Sequence, residues 1–91
     1  MNRKRERLEV IYDILKAVRD HRNSMKPTPL LRSSNLSSVG FAEYYKELLA
    51  KELVKELIDK DGSKYITLTD KGFSYLEKYR IITGFIEEFE L

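Results

Sequence analysis

The stretch Asn35–Lys51, NLSSVGFAEYYKELLAK, constrains this chain more than any other. It reads as a turn followed by a helix with a clear start. Ser37 is the expected N-cap, its hydroxyl oxygen accepting from a free amide of the first turn. Leu36 and Phe41 have the spacing of a hydrophobic staple, which fixes the angle of entry into the helix. Phe41, Tyr44, Tyr45, Leu48 and Leu49 recur at steps of three and four, so they share one face. The other face carries Ser38, Val39, Ala42, Glu43 and Lys46, which are mostly small or polar and free to touch something else.

Upstream, Leu8, Ile11, Tyr12, Leu15 and Val18 form a helical stripe over about residues 3–20, with Val10, Ile14 and Ala17 as a second stripe beside it. Two stripes exceed what one core face of so short a chain needs, so Val10 and Ile14 are expected against another subunit. Glu9–Asp13 and Lys16–Asp20 sit at helical spacing along the polar edge, where a structural role suffices. After the polar connection His21–Lys26, Thr28 and Pro29 are the expected N-cap and first residue of a short helix to Ser34, with Leu30 and Leu31 turned inward. Asn35–Ser38 then turns the chain into the longer helix. Two helices over about residues 28–52, joined by about four residues, have the spacing of a helix-turn-helix.

Downstream the periodicity changes. The runs Leu53–Asp59 and Lys64–Leu68 flank Lys60-Asp61-Gly62-Ser63, and Asp-Gly between β-prone runs is a strong hairpin signal, predicting a type I′ turn with positive φ at both central residues. Lys55, Lys60 and Lys64 cluster around that turn and make the hairpin, about residues 54–68, a basic wing. Thr69 and Asp70 cap and charge the start of a last helix, about residues 69–90. Within it Tyr75, Tyr79, Ile82, Ile86 and Phe89 step by four, three, four and three, a short heptad seam expected to face a second subunit, with Phe73, Leu76, Ile81 and Phe85 off the seam. An alternative is that the seam folds back on the first helix of its own chain. Gly84 interrupts this helix and marks either a kink or a close approach between helices.

At 91 residues the chain is read as one domain, 1–91, of α+β class and mostly α: three helices, a β-hairpin wing and a C-terminal dimerisation helix. Residues 1–35 hold nine Lys/Arg against four Asp/Glu, residues 36–86 hold eight of each, and the last five, EEFEL, carry three acids. A basic front half with a neutral body points to a polyanion. Without cysteine there is no disulfide, thiolate metal site or cysteine nucleophile, and with His21 the lone histidine, a solvated residue in a polar stretch, no zinc site is expected. The four glycines are scattered rather than gathered in a phosphate loop. Glu87 and Glu88 lack the pocket that acid–base chemistry requires, and Ser33, Ser34, Ser37 and Ser38 are explained by capping and phosphate contact. Hence no enzyme, cofactor or metal is expected. MNRKRERLEV carries no apolar run of the kind a secretory signal needs, and nothing approaches the roughly 18 apolar residues of a membrane span, so the expected location is the cytoplasm, on the nucleoid.

Leu8–Val18 (LEVIYDILKAV), Leu30–Ser37 (LLRSSNLS), the spacing of Tyr44, Tyr45, Leu48 and Leu49, and Leu68–Gly72 (LTDKG) together resemble the archaeal winged helix-turn-helix proteins typified by the crenarchaeal ten-kilodalton chromatin protein, a group that includes small predicted transcriptional regulators. The resemblance implies a homodimer joined through the C-terminal helix, with double-stranded DNA as ligand. Here that helix ends by Leu91, contains Gly84 and finishes acidic, which implies a more compact dimer.

On this reading Ser38, Val39, Ala42, Glu43 and Lys46 face base edges in the major groove, Val39 and Ala42 suiting thymine methyls and Glu43 a cytosine amino group. Arg3, Lys4, Arg5, Arg32 and Ser37 are the expected phosphate contacts, and Lys60 and Lys64 reach an adjacent groove or backbone. Two rival readings remain open: non-specific coating of chromatin, and a protein-interaction module in which Glu43, Glu47 and Glu52 of the acidic helix dock a basic partner.

Overall fold

The structure is a computed structural model and describes residues 6–91. Four helices and one hairpin follow in the order α1 (Arg7–Asp20), α2 (Pro27–Ser34), α3 (Ser38–Ala50), β1 (Val54–Ile58), β2 (Lys64–Leu68) and α4 (Asp70–Glu88). The expected start of the first helix near Arg3 lies outside the described residues.

α1 is the centre of the core. α2, α4 and β2 all pack on it, so one helix must bury more than a single stripe. This corrects the expectation for Val10 and Ile14. They are 4% and 1% exposed and lie in the chain's own core beside Ile11, Leu15 and Val18, not on a face left for another subunit. The second stripe serves the second and third neighbours of a central helix.

α2 begins two residues earlier than Thr28-Pro29 indicates. Pro27 is its first residue, Lys26 occupies the cap position without a side-chain hydrogen bond, and Thr28 falls within the first turn. The helix ends at Asn35 in the left-handed conformation (φ 58°), which asparagine tolerates better than most residues. α3 starts as its sequence indicates: the Ser37 hydroxyl accepts from the Gly40 amide at 3.0 Å. Leu36 and Phe41 both pack on the core cluster.

The hairpin is antiparallel, pairing Val54 with Leu68 and Ile58 with Lys64. Residues 59–63 therefore form a five-residue connection rather than a two-residue type I′ turn. Only Gly62 (φ 81°) has positive φ there; Asp61 does not. The Asp59 carboxylate is the reason. Its Oδ1 accepts from the Asp61 and Ser63 amides at 2.9 Å each, while the Gly62 amide donates to the Asp59 carbonyl. Aspartate at the first position and glycine at the fourth suit a type I turn. A further bridge, Met25 to Ile66, adds a short third edge and anchors the hairpin to the chain between α1 and α2.

α4 opens at Thr69, whose hydroxyl accepts from the Gly72 amide at 3.1 Å. It runs without a break through Gly84, around which a Cβ would meet nothing within 4 Å, so in the single chain this glycine marks no close approach. The seam of α4 divides. Its first half folds back on α1: Tyr75 donates to the Leu8 carbonyl at 2.7 Å, and Tyr79 stacks on Tyr12 with ring centroids 4.5 Å apart. Its second half does not. Ile82, Ile86 and Phe89 are exposed, and so are Ile81 and Phe85, which the heptad spacing leaves off the seam. At 100° per residue these five side chains form one arc, centred nearer Phe85 and Phe89 than the heptad seam implies. No described helix is long and apolar enough to cross a membrane.

Candidate nucleic-acid interface

α3 is buried along its back, where α2 and β1 pack on it, and open along its front. Phe41 and Leu48 are buried, and Tyr44, Tyr45 and Leu49 pack partly against the core. Ser38, Val39, Ala42, Glu43 and Lys46 are all exposed and repeat at four-residue steps, so they form one continuous outward strip. The strip begins at a capped N-terminus, where first-turn amides and the helix dipole favour an anion. Ser37 keeps its hydroxyl proton available to an outside acceptor while its oxygen caps Gly40. Arg32, in the last turn of α2, is exposed, as are Lys60 and Lys64 on the hairpin. Arg3, Lys4 and Arg5 lie outside the described residues.

The far end of α3 is fixed by the Leu-Thr-x-Lys-Gly segment that opens α4. The Thr69 hydroxyl donates to the Glu52 carbonyl at 2.6 Å and lies 3.2 Å from that of Leu53, and Lys71 Nζ donates to the Lys51 carbonyl at 2.9 Å. Glu52 is left-handed (φ 59°), and a Cβ on Gly72 would come within 2.3 Å of the Leu53 carbonyl oxygen. Thr69, Lys71 and Gly72 thus act on one object, the chain leaving α3. Lys71 also places a cation where the last carbonyls of α3 are unsatisfied.

Two acids near the strip are held sideways. Glu47 pairs with Arg7 of α1 and, at 2.8 Å, with Lys51. Glu56 on β1 accepts from the Tyr45 hydroxyl, and the same oxygen lies 3.5 Å from Lys64 Nζ. Burial, then the bond to Glu56, pushes the Tyr45 phenol well above its ordinary value. Glu43 is the acid left on the outward strip. Lys26 adds a cation over the Tyr65 ring at 5.7 Å from its centroid. The sequence pattern marks neither Arg7 nor Glu56, and it places Tyr45 only on the apolar stripe of α3 and Lys71 only within the Leu68–Gly72 segment. The signal for Tyr45 was a phenol on an otherwise apolar stripe, since a buried hydroxyl generally needs a partner.

Three helices with the third capped and outward-facing, a hairpin beside it and a fourth helix behind are the order that the sequence matches as "Winged helix-turn-helix" over residues 4–87. The chain belongs to the winged helix-turn-helix family. Among solved structures, this winged helix is similar to Sso10a-2, a DNA-binding protein from Sulfolobus solfataricus, at 19% identity and TM-score 0.75, covering 94% of this chain and 86% of that one. It is also similar to F93 from STIV, a winged-helix DNA-binding protein, at 21% identity and TM-score 0.73, covering 88% and 91%. A comparison with curated protein sequences finds no match. Among the described residues no group of side chains is arranged to hold a metal ion.

Proposed function

We propose that this winged helix is a dimeric protein that binds double-stranded DNA and regulates transcription, with α3 entering the major groove and the hairpin wing lying on the neighbouring backbone. The observation that carries the reading is the outward strip Ser38–Lys46 on a helix whose back is buried and whose N-terminus is capped. A rigid helix with a small-residue front can approach base edges closely, and its first-turn amides meet phosphate. Ser38, Val39, Ala42, Glu43 and Lys46 take the base-facing role; Arg32 and Ser37, with Arg3, Lys4 and Arg5, take the phosphates; Lys60 and Lys64 take the wing contact. The DNA-binding descriptions of Sso10a-2 and F93 support the ligand class. The role is binding rather than catalysis, on the nucleoid in the cytoplasm.

The acidic character of α3 weighs less against DNA than composition implies, because Glu47 is neutralised by Arg7 and Lys51 rather than turned to the front. That also weakens the protein-interaction reading, which needs those acids outward. The dimer is supported by the arc Ile81, Ile82, Phe85, Ile86 and Phe89, five large apolar side chains exposed side by side on one helix, the kind of contiguous patch that marks a protein contact. Tyr75 and Tyr79, engaged with α1, stand at its edge.

Fluorescence anisotropy on mixed-sequence duplex DNA, at about 50 and 200 mM salt, tests the DNA contact. Micromolar or tighter binding that collapses at the higher salt is expected. A folded dimer that binds nothing at the lower salt would return α3 to a protein-docking role.

A further inference from the structure

Tyr45 and Glu56 join the groove helix to the wing through side chains. Tyr45 sits on the inner side of α3, with its ring stacked on Phe41 at 5.8 Å between centroids. Glu56 lies on β1 opposite Ile66, on the face of the hairpin that turns toward the helices, with Val54 and Ile58 at the alternate positions. An acid there would ordinarily be out of place, since the same face buries Val54, Ile66 and Leu68. It is accommodated because one oxygen receives the Tyr45 hydroxyl and lies beside the Lys64 ammonium. Three elements, α3, β1 and β2, therefore meet at a single carboxylate. A two-stranded hairpin is soft on its own and gains its fixed orientation from what it leans on.

We propose that Glu56 is a positioning residue that locks the wing to α3, so that wing and groove helix meet a duplex as one rigid body. The inference rests on the DNA-binding reading above. The lock matters because each wing cation contributes to affinity only when it lies over a phosphate while α3 is seated. Holding the wing in advance removes the entropy otherwise lost on ordering it. Lys64 is placed by the same carboxylate, whereas Lys60 at the tip depends on the lock without touching it.

A double-mutant cycle separates locking from simple stability. Tyr45→Phe removes one hydroxyl and leaves the stacked ring. Lys60→Ala removes a tip cation that makes no contact with Tyr45. In the unmodified background Lys60→Ala is expected to weaken duplex binding about fivefold, and in the Tyr45→Phe background by less than about twofold, because an unlocked wing no longer delivers its cation. Glu56→Gln keeps an acceptor oxygen and should preserve the fivefold factor, while Glu56→Ala should lose it as Tyr45→Phe does. An unchanged Lys60 factor in the Tyr45→Phe and Glu56→Ala backgrounds overturns the proposal, since a hydroxyl that only stabilises the fold leaves a distant cation's contribution alone. Amide hydrogen exchange reads the lock without DNA: β1 and β2 amides should exchange several-fold faster in Tyr45→Phe with α1 unchanged, and equal rates would refute it. Absence of duplex binding by the unmodified chain refutes the DNA reading, and with it the positioning role. The exchange experiment then still reports on the mechanical coupling alone.

Discussion

The front of α3 and the outer half of α4 are both open to water, but they expose opposite chemistries. Along α3 the exposed side chains are Ser38, Val39, Ala42, Glu43 and Lys46; along α4 they are Ile81, Ile82, Phe85, Ile86 and Phe89. A nucleic-acid surface is wet and polyanionic, so little is gained by presenting it with large apolar groups. A protein surface that excludes water rewards isoleucine and phenylalanine. The two exposed regions therefore ask for two kinds of partner, and residue size and polarity, more than exposure, distinguish them.

The largest effect expected is on the α4 surface. Ile82→Glu combined with Phe85→Glu should weaken self-association by at least about 100-fold, as removal of central apolar anchors does. Analytical ultracentrifugation should then report a monomer that still melts cooperatively; an unchanged sedimentation coefficient would mean the arc has no partner copy. Next comes the contrast between two glycines of one helix. Gly72→Ala drives a methyl into the Leu53 carbonyl oxygen, at a cost of about 1–3 kcal/mol, and the displaced end of α3 should weaken DNA binding as well. Gly84→Ala meets only open space and should stabilise the chain by about 1 kcal/mol in thermal unfolding. A loss of dimer in Gly84→Ala would place a second copy against that glycine.

On the α3 side the expected changes are in pattern more than size. Lys46→Ala should cost about 1–3 kcal/mol on a preferred sequence and less on random DNA, whereas Lys60→Ala should weaken all sequences alike and flatten the salt slope by about one. Equal losses for Lys46→Ala on both kinds of DNA would remove it from base readout.

The smallest effect is a titration at the packed half of α4. Burial, then the neighbouring Tyr79, pushes the Tyr75 hydroxyl up to about 12, against an ordinary 10.0. The folded chain keeps that proton where the unfolded chain releases it. Stability should therefore fall as pH rises from about 10 to 12. Tyr75→Phe should flatten that fall, while losing the bond to the Leu8 carbonyl at neutral pH, worth about 1 kcal/mol. An unaltered alkaline slope would show that other groups set it.

What the sequence made legible was local. The Ser37 and Thr69 caps, the apolar back of α3 and its small-residue front depend on neighbours within a turn, and all are present as their spacing indicates. What it concealed was nonlocal or competitive. Val10 and Ile14 looked surplus because nothing near them reveals that α1 is packed by α2, β2 and α4 together. The Asp-Gly pair indicated a two-residue turn, but the Asp59 side chain binds two loop amides and holds a wider connection. The heptad seam on α4 was half correct about exposure, because periodicity alone does not tell which turns of the helix lie against α1. The pairing of Glu47 with Arg7 joins α3 to α1 and that of Glu56 with Tyr45 joins the wing to α3, and a charge count along α3 anticipates neither.

The continuity of α4 has a consequence for any operator. Its first turn grips the exit of α3 through Thr69, Lys71 and Gly72, and its last turns carry the apolar arc, with 19 helical residues and no break between. In a dimer of the kind proposed, that helix is a ruler. Sliding the partner by one helical turn moves each reading head by about 5.4 Å along the axis, more than one base-pair step of about 3.4 Å. The distance between preferred half-sites would then be written in the C-terminal helix, far from any residue that touches a base.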